Sequence, residues 1–316
     1  MLNKKIMIIG GTGALGKTLL ARYIKDNEVI VLSRDEHKHY NLKKRYPNVN
    51  FIVGNVKDKK SIQRVINLHR PEVIINAAAL KHVPICEANV YESVRVNIVG
   101  HQNLIDCVLE APYSLESLVF ISTDKACNPL NVYGMCKFIS ERLYVDFSIN
   151  QSKTKVVITR YGNVLQSTGS VIPFFKSLLR EEGCESLPIT DYEMTRFLMT
   201  LDEAVDLIHW AYSHPDSHGN IVVPKMKSLR ITDLAKVLSK YIVGEQVHLK
   251  EVGKRPGEKV HESMINKEES TRTLEFEDYF MITNNQKNDT EWTYSSADHI
   301  LEYGAIESFL KDRGVL

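Results

Sequence analysis

Cysteine is scarce in this chain, and the little there is shows no pairing by spacing. Five cysteines among 316 residues, at positions 86, 107, 127, 136 and 184, give an odd total with no C-x-x-C, which argues against a disulfide framework and a zinc site. They read as reduced thiols, the state kept in a cytosolic compartment. Long apolar runs are missing too. No stretch approaches the length that crosses a bilayer, and the first residues enter a strand without the charged-then-apolar pattern of a secretory signal. The sequons Asn150-Gln151-Ser152 and Asn288-Asp289-Thr290 therefore read as polar loop. Nor does one sign of charge dominate. Forty basic against 39 acidic residues leave +1, so no basic field marks a nucleic-acid or membrane-surface binder. What remains, 43% hydrophobic and 25% charged, suits a compact protein with a sizeable core.

Short apolar runs recur between amphipathic stretches: Lys5 to Ile9, Glu28 to Leu32, Asn50 to Val53, Glu72 to Asn76, Ser117 to Ser122, Lys155 to Thr159 and Asn220 to Val223. Near-continuous Val/Ile runs are the mark of parallel strands buried on both faces. Helices are expected between them, for example Gly16 to Lys25 and Lys59 to His69. The fold class is α/β, a Rossmann-like doubly wound sheet of about seven parallel strands with ligands at the strands' carboxyl ends. Beyond Asn163 the pattern loosens into loops and short helices. We expect residues 1–163 to form the nucleotide-binding domain, 195–224 to return to it, and 164–194 with 225–316 to form a smaller substrate-binding lobe.

Gly10-Gly11-Thr12-Gly13-Ala14-Leu15-Gly16 follows the first strand and opens a helix, where a diphosphate can rest on free backbone amides and the positive helix end. Gly11 to Thr18 also satisfies Gly-x-x-x-x-Gly-Lys-Thr, the phosphate loop of triphosphatases. That chemistry needs a strand ending in an acidic residue to hold Mg²⁺, and the strands here end in Ser33, Gly54, Asn76 and Ser122. The dinucleotide reading is preferred. Arg34 after the second strand is a cation where the adenosine ribose lies, favouring a 2′-phosphate and NADP over NAD. Asp35 could instead bond a ribose hydroxyl, and Arg34 could be a surface arginine. Small side chains at Ala77, Ala78 and Ala79 suit either a dinucleotide over the sheet edge or tight strand-helix packing.

Tyr133 and Lys137 stand four apart and share a helix face. An ammonium beside a phenol favours phenolate and lowers the tyrosine pKa, giving a base usable near neutrality. Eight residues upstream of this pair, Thr123-Asp124-Lys125 places a carboxyl and an amine at the end of the fifth strand. In isolation Asp124 and Lys125 read as a solvated pair, and Thr123 as a capping residue.

Together, Gly10-x-x-Gly13-x-x-Gly16, Asn76-Ala77-Ala78 and Tyr133-x-x-x-Lys137 resemble the extended short-chain dehydrogenase/reductase superfamily. Within it the chain is most similar to the 5-inverting UDP-N-acetylglucosamine 4,6-dehydratases. The likeness runs through Ser33-Arg34-Asp35-Glu36, Ala78 to Pro84, Ser122 to Ala126, Asn128 to Gly134, Arg160 to Val164, Met194 to Phe197 and Arg255 to Lys259. Asn55, Gln166, Thr168 and a short C-terminal tail depart from the family pattern and bear on adenine contacts, the substrate loop and oligomer geometry.

The resemblance implies a lyase with NADP retained through turnover, UDP-N-acetylglucosamine as substrate, no metal, and a cytoplasmic homo-oligomer. It implies that Tyr133 takes the proton of the sugar's 4-hydroxyl as hydride leaves carbon 4, with Lys137 holding ribose and phenolate. Lys125 would then take the carbon 5 proton, Asp124 would protonate the departing 6-hydroxyl, and Thr123 would orient the sugar. For these roles Lys125 needs a pKa lowered toward neutrality and Asp124 a raised one. Cofactor contacts are expected from Gly10, Thr12, Gly13, Ala14, Leu15, Gly16, Ser33, Arg34, Asp35, Asn55, Val56, Ala77, Ala79 and Lys81, with Tyr133 and Lys137. Lys81, His82, Asn163, Arg196, Arg255 and Glu258 are the substrate candidates. A UDP-sugar 4-epimerase, which would not need Asp124 and Lys125, a non-catalytic NADP-binding protein and a phosphate-loop ATPase are the competing readings.

Overall fold

The computed structural model describes residues 1–151, 153–165, 167, 169–284 and 289–316. Gln166, Thr168, Ser152 of the first sequon and Asn288 of the second lie outside the described residues. Six of the apolar runs form strands β1 (Lys5–Ile9), β2 (Glu28–Ser33), β3 (Asn50–Val53), β4 (Val73–Asn76), β5 (Ser117–Ile121) and β6 (Lys155–Thr159). The seventh run forms the strand Ile221–Pro224. These seven are parallel, in the order Ile221–Pro224, β6, β5, β4, β1, β2, β3. Order reverses between β1 and β4, so the crevice of a doubly wound sheet opens where Ile9 and Asn76 end their strands.

The sheet has nine strands rather than about seven. Tyr279–Ile282 pairs antiparallel with Ile221–Pro224, and Thr273–Glu275 pairs antiparallel with Tyr279–Ile282. Residues 273–282 fall within the stretch expected in the smaller lobe and instead complete the large sheet. Strands of three and four residues at an antiparallel edge carry too little periodicity to stand out in a sequence.

The expected helices form as α1 (Ala14–Tyr23) and as Lys59–His69. A 19-residue helix, Val132–Asn150, carries Tyr133 and Lys137. A second apolar cluster gathers Leu165, Ile172, Phe175, Leu187, Leu198, Leu234, Ile306 and Leu310 apart from the main core. Short strands frame it, with Thr195–Met199 paired to Ser228–Arg230 and to Asn163–Val164. Among the described residues no helix is long and apolar enough to cross a membrane.

A buried ion triad joins the parts. Arg160, with no solvent exposure, donates from Nε and Nη2 to Glu141 at 2.9 and 2.7 Å, and from Nη1 and Nη2 to Glu269 at 2.9 and 2.7 Å. Removing one member of such a group leaves uncompensated charge in a dry interior, which costs about 3–5 kcal/mol. Arg160→Met should lose stability of that order in urea denaturation, whereas exposed Lys311→Met, which breaks a surface pair with Glu307 and a distant contact over the Tyr241 ring, should change it by less than about 0.5 kcal/mol.

Candidate active site

One large cleft of about 1480 Å³ lies over the carboxyl ends of the central strands. Its first wall is the glycine loop. Gly10 takes φ +81°, and a Cβ there would meet the Ala78 amide nitrogen at 2.8 Å, so only glycine lets the β1 and β4 ends approach this closely. Gly13 begins α1 with no side-chain cap and no acidic residue in the first turn, which leaves its amides and positive end free toward the cleft. Gly10, Thr12, Gly13, Ala14, Leu15 and Gly16 all line it. Lys17 is exposed and is not part of the lining, and the Thr18 hydroxyl donates back to the Ala14 carbonyl. The lysine and threonine that a triphosphatase loop aims at phosphates thus point elsewhere.

Ser33, Arg34, Asp35, Asn55 and Val56 continue the lining past the end of β2. The Asp35 carboxylate accepts from the Lys38 amide at 3.0 Å as the cap of the helix Glu36–Arg45 and pairs with the Lys38 ammonium at 3.0 Å. Exposed Arg34 makes no hydrogen bond to a side chain or backbone group among the described residues, and its charge acts on the Glu92 carboxylate. Ser33 joins a short chain, its hydroxyl 3.1 Å from the Thr12 hydroxyl and 2.5 Å from His39 Nε2. Ala77, Ala79, Lys81 and His82 form the wall beyond β4. Buried Asn97 fixes this stretch, accepting from the Leu80 amide and donating to its carbonyl.

The far wall holds Thr123, Lys125, Tyr133 and Lys137. Asn131 caps the helix Val132–Asn150 by accepting from the Gly134 amide at 2.8 Å. A Cβ on Gly134 would meet the Lys125 carbonyl oxygen at 2.2 Å, and this contact seats Tyr133 beside the turn Asp124–Ala126. Burial pushes the Tyr133 phenol up to about 12, with the Lys125 ammonium and the Thr123 hydroxyl pulling against it. Lys137 was expected to lower the phenol; instead burial brings Lys137 itself down to about 7, opposed by Glu141. Its Nζ donates to the Ile121 carbonyl and lies 4.1 Å from the Phe120 ring centroid.

Asp124 differs from expectation. Its side chain has no solvent exposure and no part in the cleft lining, because the turn folds the carboxylate inward, where Oδ1 accepts from the Thr123 hydroxyl at 2.9 Å and from Lys125 Nζ at 3.0 Å. It backs Lys125 and does not face the pocket. Lys125 is likewise not lowered: burial pulls its ammonium down, but the carboxylates of Asp124 and Glu262 outweigh that and hold it above the ordinary lysine range.

At the open end lie Asn163, Arg196, Arg255 and Glu258. Asn163 Oδ1 accepts from Lys125 Nζ at 3.3 Å. Arg196 spends its guanidinium on the carbonyls of Thr195, Lys259 and Val260, pinning the loop that carries Arg255 and Glu258. Glu262, Tyr161 and Asn131 also line the cleft and were not among the site candidates read from the sequence. Glu262 approaches Lys125 Nζ to 3.5 Å; Tyr161 lies near Tyr133; and Asn131 donates to the Gly257 carbonyl at 2.9 Å. Glu262 is 137 positions from its partner, a separation that local pattern does not bridge, whereas Asn131 carries a visible N-cap signal.

A family model described as polysaccharide biosynthesis protein matches residues 6–284. The inverting UDP-N-acetylglucosamine 4,6-dehydratase of Campylobacter jejuni is 41% identical over 90% of this chain and 84% of its own. A protein named UDP-glucose 4-epimerase from Rickettsia felis is 36% identical over 89% of this chain and 83% of its own. The X-ray structure of Pen from Bacillus thuringiensis superimposes with a TM-score of 0.90 at 29% identity, covering 100% of this chain and 99% of that one.

Two outcomes follow from this geometry. Gly134→Ala should cost about 1–3 kcal/mol in urea unfolding, because the helix must move off the Lys125 carbonyl. Lys137 binds its proton less tightly when folded than unfolded, so between pH 7 and 10 the unfolded chain holds more protons and stability rises with pH. Relative to Lys137→Met, the native protein should gain about 1 kcal/mol per pH unit across that window, measured by denaturation at stepped pH.

Proposed function

The chain belongs to the polysaccharide biosynthesis protein family, and from that premise we propose that it removes water across carbons 5 and 6 of UDP-N-acetylglucosamine, with inversion at carbon 5 and NADP as cofactor. The observation that carries the reading is Lys125: an amine on the cleft wall beside Tyr133, backed by Asp124 at 3.0 Å. A reaction confined to carbon 4 has no use for a second base there. The 41% identical dehydratase supports the same reading.

The glycine loop, the free amides of α1 and the small residues after β4 fit a dinucleotide's diphosphate. When bound, NADP supplies the acceptor that takes hydride from carbon 4 and the donor that returns it at carbon 6. Arg34 is assigned the 2′-phosphate, since the Asp35 carboxylate is engaged with Lys38. Tyr133 takes the proton of the 4-hydroxyl in a setting that excludes most water, the residue being only 9% exposed. Lys137, titrating near neutrality, charges and discharges the pocket beside it. A ketone at carbon 4 acidifies the neighbouring hydrogen, which falls to Lys125. Lys81, His82, Asn163, Arg255 and Glu258 are the contacts assigned to UDP and the sugar, with Arg196 holding the loop of Arg255 and Glu258. The second apolar cluster is read as the core of the substrate-binding lobe.

A 4-epimerase, the name of the Rickettsia felis relative, is the second reading. Incubation with UDP-N-acetylglucosamine in D₂O separates them by NMR. A 6-deoxy-4-keto sugar with deuterium at carbon 5 is expected, and a 4-epimer without deuterium would reject the dehydratase. Lys125→Met should lower turnover roughly 10²–10⁴-fold, and Arg34→Ala should weaken NADP binding roughly tenfold or more while leaving NAD little changed, by titration calorimetry.

A further inference from the structure

We propose that His39 is a positioning residue for NADP over NAD, holding the Ser33 and Thr12 hydroxyls as hydrogen-bond donors toward the adenosine 2′-phosphate. The proposal rests on the NADP reading and goes beyond it, since that reading names only Arg34 for the phosphate. The helix Glu36–Arg45 is rich in charge, and the one side chain it buries is His39. Packing alone is served by an apolar residue at such a position. The histidine instead meets the last residue of β2. Its ring lies beside Phe51, centroids 5.4 Å apart, and its Nε2 stands 2.5 Å from the Ser33 hydroxyl, which is 3.1 Å from the Thr12 hydroxyl. All three residues are buried, yet Thr12 and Ser33 reach the cleft lining while His39 stays behind it.

Burial sets the direction of this row. His39 Nδ1 is buried and has no hydrogen-bond partner. A neutral ring with its proton on Nδ1 would leave a buried N–H unpaired, and orphaned donors are the rarer and costlier kind. Nε2 therefore carries the proton and donates to Ser33. With its oxygen accepting, Ser33 turns its own proton outward, to Thr12 or to a ligand. Thr12, whose side-chain partner among the described residues is Ser33, keeps a proton for the cleft.

The row thus ends in donors. An ionised phosphate accepts at every free oxygen and is matched by them. Sites that bind the ribose hydroxyl of NAD put an accepting carboxylate near the end of this strand. Asp35, which would offer such an acceptor, is held by the Lys38 amide and ammonium, both at 3.0 Å. Arg34 supplies charge from the exposed side of the phosphate, and the hydroxyl row supplies directed bonds from the buried side.

A double-mutant cycle tests this. Full-length wild type, His39→Phe, His39→Gln, Ser33→Ala and the pair His39→Phe/Ser33→Ala are titrated with NADP and with NAD by calorimetry, and thermal melting verifies folding. Phenylalanine keeps a ring against Phe51 and removes the donor, so His39→Phe should weaken NADP binding roughly three- to tenfold and leave NAD within about twofold of wild type. His39→Gln, which returns an N–H donor at similar reach, should bind NADP within about twofold of wild type. Because His39 acts through Ser33, the pair should lose no more than Ser33→Ala alone. Unchanged NADP affinity in His39→Phe, equal loss of NADP and NAD, a glutamine variant as weak as the phenylalanine one, or full additivity in the pair would each overturn the assignment. Wild type holding NAD as tightly as NADP would refute the NADP reading itself, a separate result.

Discussion

A guanidinium without access to water sets the frame for the whole site. Arg160 immediately follows β6 and is gripped by Glu141 from the helix Val132–Asn150 and Glu269 from the C-terminal part of the chain. Glu141 also accepts from the Ser122 hydroxyl at 2.6 Å, one residue before Thr123-Asp124-Lys125. One turn up the same helix lies Lys137, and one turn further Tyr133. The ion triad therefore locks the helix along the β5 and β6 ends at the height where its reactive face meets the turn at Asp124. Burying three charges is a poor way to gain stability; its effect here is on register, since neutral residues would let the helix slide without leaving a charge unpaired.

Two lysines on one wall show how neighbours decide chemistry. Lys137 has a carbonyl and an aromatic ring as its closest partners, and burial wins, bringing it to about 7. Lys125 is less deeply buried and lies between Asp124 and Glu262, and attraction wins. The same side chain, separated by twelve positions, thus has its ammonium disfavoured by burial in one place and favoured by neighbouring carboxylates in the other. A tyrosine brought to about 12 between them is reluctant to ionise until something positive joins the pocket.

Much of this was legible in the sequence for a simple reason. The seven parallel strands are runs of Val and Ile with no polar alternation, and each of them lies within a residue or so of its expected span. The glycine loop was ambiguous between two nucleotide templates as a string, and only the direction of Lys17 and Thr18 separates them in space. Of the candidate residues, Lys125, Tyr133 and Lys137 share the cleft wall, while Asp124 points inward, since a sequence shows that two residues are adjacent but not which way a one-turn helix aims them. Glu262 was invisible because its tie to Lys125 depends on a strand pairing, Ser263–Ile265 with Tyr294–Ser295, that closes late in the chain. The sign of the pKa shifts was missed at Tyr133 and Lys125 because burial and distant carboxylates, not the sequence neighbours, dominate them.

The hairpin at 273–282 has a consequence for synthesis. While the ribosome is still making the last quarter of the protein, the strand Ile221–Pro224 is an open, wholly apolar sheet edge, the kind of surface that recruits strands from other chains. Only after some fifty further residues emerge does Tyr279–Ile282 cover it, and Glu269 arrives in the same interval to neutralise Arg160. The nascent chain thus passes through an interval of nearly finished sheet with a sticky rim and an unbalanced interior charge. Its dependence on chaperones should be concentrated in that short window of elongation.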